Sequence, residues 1–122
     1  MKRRAPAQRS DTTWTDADTQ RLQEGLQRLS VTLDETAFAK VVQWARLLKQ
    51  WNRTFNLLGN SDSAHLIDEH LLDSLAIVPV LERYLPRAEE ALVDVGTGAG
   101  FPGIVVALLR PDLDVTLIET ME

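Results

Sequence analysis

Ten consecutive residues, Asp94-Val95-Gly96-Thr97-Gly98-Ala99-Gly100-Phe101-Pro102-Gly103, carry the clearest chemical signal in this 122-residue chain. Glycine is needed where a chain turns sharply and where its backbone must approach a ligand with no Cβ in the way. A helix that follows such a turn points free amides at the ligand. Pro102 suits a first helical turn, where its missing donor costs nothing. Glu119 stands 19 residues beyond Gly100, and an acid ending the next strand can accept hydrogen bonds from both ribose hydroxyls of a nucleoside. The chemistry indicated is the capture of a nucleotide cofactor.

Two ligand classes compete for these residues. Gly98 to Gly103 satisfies GxGxxG, the dinucleotide fingerprint. Gly96-Thr97-Gly98-Ala99-Gly100 satisfies GxGxG with Asp94 two residues ahead, which resembles the first motif of class I methyltransferases. A dinucleotide enzyme usually opens with its fingerprint and rarely places an acid inside the preceding strand. Here about 90 residues come first. Motif and position together favour S-adenosylmethionine over NAD. An NAD-binding oxidoreductase fragment and a non-enzymatic remnant that binds RNA or protein remain the alternatives.

Other polar residues carry weaker signals. His70, Asp73 and Ser74 share a helix face through their i, i+3, i+4 spacing, but one helix rarely gives triad geometry and no nucleophile elbow is present. Arg46, Lys49 and Arg53 fall within about a 60° arc of one helix, where they could meet phosphates or simply face solvent. Trp44 and Trp51 are assigned to the core of that helix rather than to base stacking, and His65 to a helix surface. Two histidines and no cysteine support no metal site.

The elements that position these residues are helical first. Residues 1–14 lack periodicity and read as a loose basic tail. Thr15 with Asp18 suggests a capped start for a helix carrying Leu22, Leu26 and Leu29. Asp34 reads as the N-cap of a second helix, with Leu33 and Phe38 as a hydrophobic staple and Val41, Val42, Ala45, Leu48 and Trp51 on its apolar face. A loop over 59–63 delivers a third helix with Ile67, Leu71, Leu75 and Val78 on one stripe. Pro79 should kink or restart that helix, and Pro86 should close it.

From residue 91 the pattern changes. Ala91-Leu92-Val93-Asp94-Val95 is a short apolar run, as expected for a strand covered on both faces. A helix from about Pro102 to Leu109 follows the glycine turn, then a second strand over 115–119. Strand, helix, strand implies a right-handed βαβ unit with parallel strands. The fold class is α/β: a helical region over 15–88, then the opening of a Rossmann-like domain over 89–122.

Composition narrows the setting. A 44 % hydrophobic content supplies a core, and 25 % charged residues argue against disorder. No apolar run is long enough for a membrane span, and no apolar stretch follows the basic start as a secretory signal would require. A cytoplasmic protein without membrane attachment is expected. Lys2, Arg3, Arg4 and Arg9 precede the first acid, Asp11, leaving nine basic residues against 18 acidic ones. Such a body does not bind nucleic acid by bulk electrostatics, so any RNA contact must be local.

Three segments in order resemble one family. Trp51-Asn52-Arg53-Thr54-Phe55-Asn56-Leu57, His70-Leu71-Leu72-Asp73-Ser74-Leu75 and Asp94 to Gly103 are similar to the ribosomal small-subunit methyltransferase G family, also called glucose-inhibited division protein B. The resemblance covers roughly residues 35–122. It implies a bacterial enzyme that uses S-adenosylmethionine to methylate N7 of a guanine in 16S rRNA, with the small ribosomal subunit or an assembly intermediate as partner. Gly96 and Phe101 match cofactor contacts, Gly98 and Gly100 lie in the same loop, and Glu119 matches an acid, often Asp, that holds the ribose. Asp94 would orient the loop or reach the amino-acid end of the cofactor. Asn52 and Asn56 match the WNxxxNL segment, and His70 and Asp73 would line the cofactor or RNA pocket. Position 58 is Leu where Thr is common, and residues 59–62 are less basic than the family suggests. The chain ends three residues after Glu119, within what the resemblance implies is a seven-stranded sheet, so it is expected to be truncated and not to methylate RNA alone.

Overall fold

The computed structural model describes residues 13–55, 58 and 62–120. Most of the basic tail, Asn56, Leu57 and residues 59–61 lie outside this set. Six α-helices and two strands are found among the described residues.

The helical part starts where the caps place it. α1 (Asp16–Arg28) opens on a capping box: the Thr15 hydroxyl accepts from the Asp18 amide, and the Asp18 carboxylate accepts from the Thr15 amide at 2.9 Å. Trp14 is not loose, as its place in the tail implied. It is buried, with its indole N–H donating to the Thr19 hydroxyl at 2.8 Å. Leu29 forms the C-cap of α1 and is exposed, because the helical stripe ends at Leu26.

α2 (Glu35–Phe55) is capped by Asp34, whose carboxylate accepts from the Ala37 amide at 2.7 Å. Val41, Ala45 and Leu48 are buried, while Leu33, Phe38 and Val42 pack partly against the same core. Trp51 departs from expectation. It is 47 % exposed, since the buried stripe does not extend into the last turn of α2.

The third helical run is continuous but irregular. α3 (Ser63–His65), capped by Asp62, leads into a π-helical segment over Leu66–Leu71 and then α4 (Leu72–Leu75). The Leu72 amide donates to the carbonyl of Ile67, five residues back. The wider turn buries Leu66, Ile67, Leu71 and Leu72 together. No sequence period announces this, because Ile67, Leu71 and Leu75 also fit an ordinary helix. A guanidinium fork from Arg21 to Asp68, at 3.0 and 2.5 Å, ties α1 to the π segment. Pro79 restarts the chain as α5 (Val78–Tyr84), and Leu85 before Pro86 caps it.

β1 (Ala91–Val95) and β2 (Asp114–Ile118) pair in parallel with Ala91 opposite Asp114 and Val95 opposite Ile118. α6 (Gly103–Leu109) crosses between them. Its two sides serve two cores: Val105 joins the helical cluster, and Val106 packs with Leu81 and Leu113 over Leu92 and Val115. Among the described residues only one face of β1 is covered, contrary to the two-sided burial that its apolar run implied. Val93 and Val95 are 56 % and 74 % exposed, because α6 and α5 lie against the Leu92 side alone.

Candidate functional site: a glycine loop at the carboxyl edge of two parallel strands

The loop after β1 is pinned at both ends. The amides of Gly96 and Thr97 donate to the Ile118 carbonyl at 2.7 and 3.2 Å, extending the pairing past β1. The Thr97 carbonyl then accepts from the Gly100 and Phe101 amides, both at 3.0 Å, which closes the turn. Asp94 holds the far end: its carboxylate accepts from the Gly103 amide at 2.9 Å, at the first residue of α6. Pro102 serves as the cap of α6 rather than its first residue.

The four glycines divide into two kinds. A Cβ on Gly100 would meet Ile104 side-chain atoms at 2.2 Å, and one on Gly103 would meet Leu117 at 1.9 Å and the Asp94 carboxylate at 2.8 Å. Gly103 is bare because helix and strand press on it, and Gly100 because Ile104 presses on it and because its own φ is +106°. Gly96 and Gly98 differ. Both have positive φ, +75° and +59°, yet a Cβ on Gly96 would meet nothing within 4 Å, and one on Gly98 only the Glu119 carboxylate at 3.8 Å. Internal packing does not ask for their bareness; backbone conformation does, and the result is an exposed stretch of naked main chain.

Glu119 lies at the end of β2, where its carboxylate accepts from the Gly98 amide and from the Thr120 amide at 3.0 Å. Acid and loop thus meet across the strand pair. Thr97, inside the loop, is 7 % exposed, with its hydroxyl buried and without a hydrogen-bond partner. Such a hydroxyl is the kind of group that a bound molecule's polar atom satisfies. Naked glycine backbone, a neighbouring carboxylate and an unsatisfied hydroxyl fit the sugar and backbone-facing edge of a nucleoside such as S-adenosylmethionine.

Phe101 connects the loop to the helices. Its ring lies 4.8 Å from that of Trp44 and 5.1 Å from that of His70. A cleft of about 330 Å³ opens beside it, lined by Glu69, His70, Asp73, Ser74, Ile77, Phe101 and Pro102. His70 and Asp73 therefore stand beside the Phe101–Pro102 end of the loop. Burial holds the His70 imidazole below its ordinary pKa of 6.5, and the nearby His65 adds to this against the opposing pull of Glu69 and Asp73.

That depression has a testable consequence. The folded chain binds fewer protons at His70 than the unfolded chain does. Stability should therefore rise with pH through the interval from the depressed value up to about 6.5. The lowered carboxyls of Asp68 and Asp112, each beside an arginine, lose their contribution only below their ordinary 3.8. Urea midpoints should accordingly be higher at pH 7.5 than at pH 5.5, and His70→Gln should flatten the difference. Equal slopes in the two proteins would show that His70 is not the group responsible.

The remaining candidates separate from the loop. Arg46 and Arg53 are exposed on α2 and form no ion pair among the described residues. Lys49 is not on that polar face. It is 5 % exposed, donates to the Thr13 carbonyl at 3.0 Å and to the Ser63 hydroxyl, and lies 3.5 Å from the Asp18 carboxylate. The arc of three cations was correct on a helical wheel, but α1 and α3 close over its edge. The Asn52 side-chain oxygen accepts from the Leu58 amide at 2.6 Å and so closes the turn after α2. Asn56 lies outside the described residues. Sequence reasoning missed Thr97, Gly103 and Trp44 as parts of this site. Thr97 and Gly103 lay inside the quoted motif, whereas nothing in the spacing of Trp44 tied it to Phe101.

The profile of the family described as rRNA small subunit methyltransferase G matches residues 37–122. A protein of Halorhodospira halophila named ribosomal RNA small subunit methyltransferase G is 48 % identical over 99 residues, covering 81 % of this chain and 44 % of that protein. Proteins of the same name from Alkalilimnicola ehrlichii and Leptothrix cholodnii are 44 % and 40 % identical, over 81 % and 87 % of this chain. The match covers 42 % and 48 % of those two proteins, so the chain spans less than half the length of these relatives.

Proposed function

We propose, since this chain belongs to the rRNA small subunit methyltransferase G family, that its glycine loop and Glu119 hold S-adenosylmethionine for methylation of guanine N7 in bacterial 16S rRNA. The observation that carries the reading is the meeting of the Glu119 carboxylate with the Gly98 amide at the carboxyl edge of two parallel strands. We take residues 15–88 as a helical region beside the site and 89–122 as the opening of the cofactor domain. The partner is 16S rRNA within the small subunit or an assembly intermediate, which places the protein in the cytoplasm.

Gly96 and Gly98 let the cofactor lie against the main chain, Glu119 accepts from its ribose hydroxyls, and the Thr97 hydroxyl offers a further polar contact. Asp94 acts through the Gly103 amide, fixing where the loop gives way to α6. The cofactor supplies an electrophilic methyl group on a positively charged sulfur. Guanine N7 has an in-plane lone pair and no proton, so the chain needs no general base to start the transfer; alignment is its main contribution. Phe101, His70 and Asp73 line the cleft into which an unpaired guanine would be presented.

Three measurements test this. Calorimetry on the chain should give tighter binding of S-adenosylhomocysteine than of NAD, and the reverse order would refute the cofactor. The chain alone, spanning less than half of its relatives' length, should transfer no methyl group to small subunits lacking the modification. Disruption in the host of the full reading frame that contains it should remove one N7-methylguanine from 16S rRNA, read as loss of one aniline-induced cleavage. An unaltered cleavage pattern would refute the substrate.

A further inference from the structure

The cleft beside Phe101 has a polar character that the cofactor contacts do not use. One helical stripe supplies most of its wall: Glu69, His70, Asp73, Ser74 and Ile77. Asp73 stands midway along that stripe, one turn after His70 and one turn before Ile77. It is exposed, and its carboxylate makes no hydrogen bond or ion pair among the described residues. No Lys or Arg lines the cleft, so a phosphate would be repelled there. An unpaired carboxylate is best matched by two adjacent N–H donors, one for each oxygen. Among the RNA bases only guanine offers that pair, through N1–H and the N2 amino group. Adenine and cytosine set a donor beside an acceptor, and the N–H of uracil lies between two acceptors. The cleft also has an aromatic edge suited to a base, since the His70 and Phe101 rings lie 5.1 Å apart with 30° between their planes.

From this we infer that Asp73 holds the Watson–Crick edge of the target guanine, accepting from N1–H and N2–H, and that this pair of bonds tightens as the methyl group arrives. This inference rests on the guanine-substrate reading above. Methyl transfer forms a bond from the N7 lone pair to the methyl carbon and breaks the carbon–sulfur bond, whose electron pair stays on sulfur. Positive charge therefore passes to the purine, and no proton leaves N7. Alkylated guanine holds its N1 proton less firmly, so N1–H becomes a stronger donor toward an anionic acceptor while the proton stays on nitrogen. A carboxylate at that edge stabilises the charged base more than the neutral one. Such an interaction speeds a reaction rather than merely binding its substrate. N7 lies on the other side of the purine from the N1–N2 edge, so a base held by Asp73 keeps N7 free to face the methyl donor.

The test measures nucleoside binding to the whole chain with the cofactor site saturated by S-adenosylhomocysteine. The wild type should prefer guanosine to adenosine, and 7-methylguanosine to guanosine. Asp73→Asn should weaken guanosine binding about 10- to 100-fold, as loss of a charge-assisted pair implies. It should weaken 7-methylguanosine binding by a larger factor and leave adenosine unchanged. Glu69→Gln, at the outer end of the same stripe, should keep the order of preference. The N1 proton of bound 7-methylguanosine, followed by ultraviolet absorbance, should titrate at higher pH than in the free nucleoside, because a neighbouring anion favours the cation. Asp73→Asn should abolish that shift, which a merely structural role would not touch. Asp73 is exposed, so circular dichroism should be unchanged. An Asp73→Asn protein that keeps the preference for guanosine overturns the inference. A fall in its S-adenosylhomocysteine affinity would assign the carboxylate to the cofactor's ammonium group instead. A wild type that binds S-adenosylhomocysteine but does not distinguish guanosine from adenosine overturns the role of Asp73 and leaves the cofactor reading standing. Absence of both nucleoside and S-adenosylhomocysteine binding would overturn the functional reading as well.

Discussion

Lys49→Ala should lower the unfolding free energy of this chain by about 3 kcal/mol, the sum of about 1 kcal/mol for an enclosed carboxylate left without its cation and about 2 kcal/mol for the lost stem. The Lys49 ammonium sits at the junction of α1, α2 and α3, shared by the Thr13 carbonyl, the Ser63 hydroxyl and the Asp18 carboxylate. Both side chains are largely enclosed, with 3 % and 12 % exposure. Truncation leaves a carboxylate without its cation and a gap where the stem lay, two costs that add. Lys49→Met separates them. It keeps the stem and removes only the charge, while Asp18 retains the Thr15 amide, so a loss nearer 1 kcal/mol is expected. Arg46→Ala, three residues earlier and exposed, should fall within about 0.5 kcal/mol of wild type. Urea unfolding of the three variants decides it. A Lys49→Ala protein as stable as wild type would return Lys49 to the polar face and to the phosphate-binding set.

The Lys49 case shows what a helical wheel can and cannot carry. Periodicity identified α1, α2 and the 63–75 run because apolar spacing and caps are local: Thr15, Asp34 and Asp62 announce their helices within four residues. Which edge of an amphipathic stripe a neighbour covers is not local. Lys49 was covered by α1 and α3, and Trp51 was left bare, although both border the same stripe. The π-helical segment was hidden for a related reason, since Ile67, Leu71 and Leu75 satisfy an ordinary helix while Leu72 bonds five residues back. Burial on one face of β1 was likewise decided by where α6 and α5 lie, not by the run of apolar residues.

The candidate site was more legible than the core around it. Glycines and a carboxylate spaced along a strand, turn, helix and strand leave few geometries, and the βαβ rule returns both strand ends to one edge. Asp94, Gly96, Gly98, Gly100, Phe101 and Glu119 do come together. Their division of labour was not legible. Gly103 yields to Leu117, Gly100 both to Ile104 and to its positive φ, and Gly96 and Gly98 to φ alone, which leaves their main chain open; the spacing of the glycines does not tell these demands apart. The link from Phe101 to Trp44 and His70 joins residues far apart in sequence, so no spacing could reveal it.

The same geometry sets the second large effect. Glu119→Ala should weaken S-adenosylhomocysteine binding about 100-fold, because a carboxylate that accepts from two ribose hydroxyls makes two charge-assisted bonds. Exposure of this side chain keeps the estimate at the lower end for such a pair. Fold stability should barely change, since the interactions of Glu119 with Gly98 and Thr120 are local and exposed. Glu119→Gln retains one acceptor and loses the charge, so its affinity should fall between the two; Glu119→Asp keeps the charge on a shorter stem and should stay within about tenfold of wild type. Gly98→Val gives an independent check from the other side of the contact. It forces a β-branched residue to φ +59° and sets new atoms beside the Glu119 carboxylate, so it should abolish binding while Glu119 itself is untouched. Calorimetry on these four variants separates a ribose acceptor from a residue that merely closes the loop. If Glu119→Ala bound the nucleoside as tightly as wild type, the carboxylate would be no more than a latch on the Gly98 amide, and the cofactor's sugar would have to be held elsewhere.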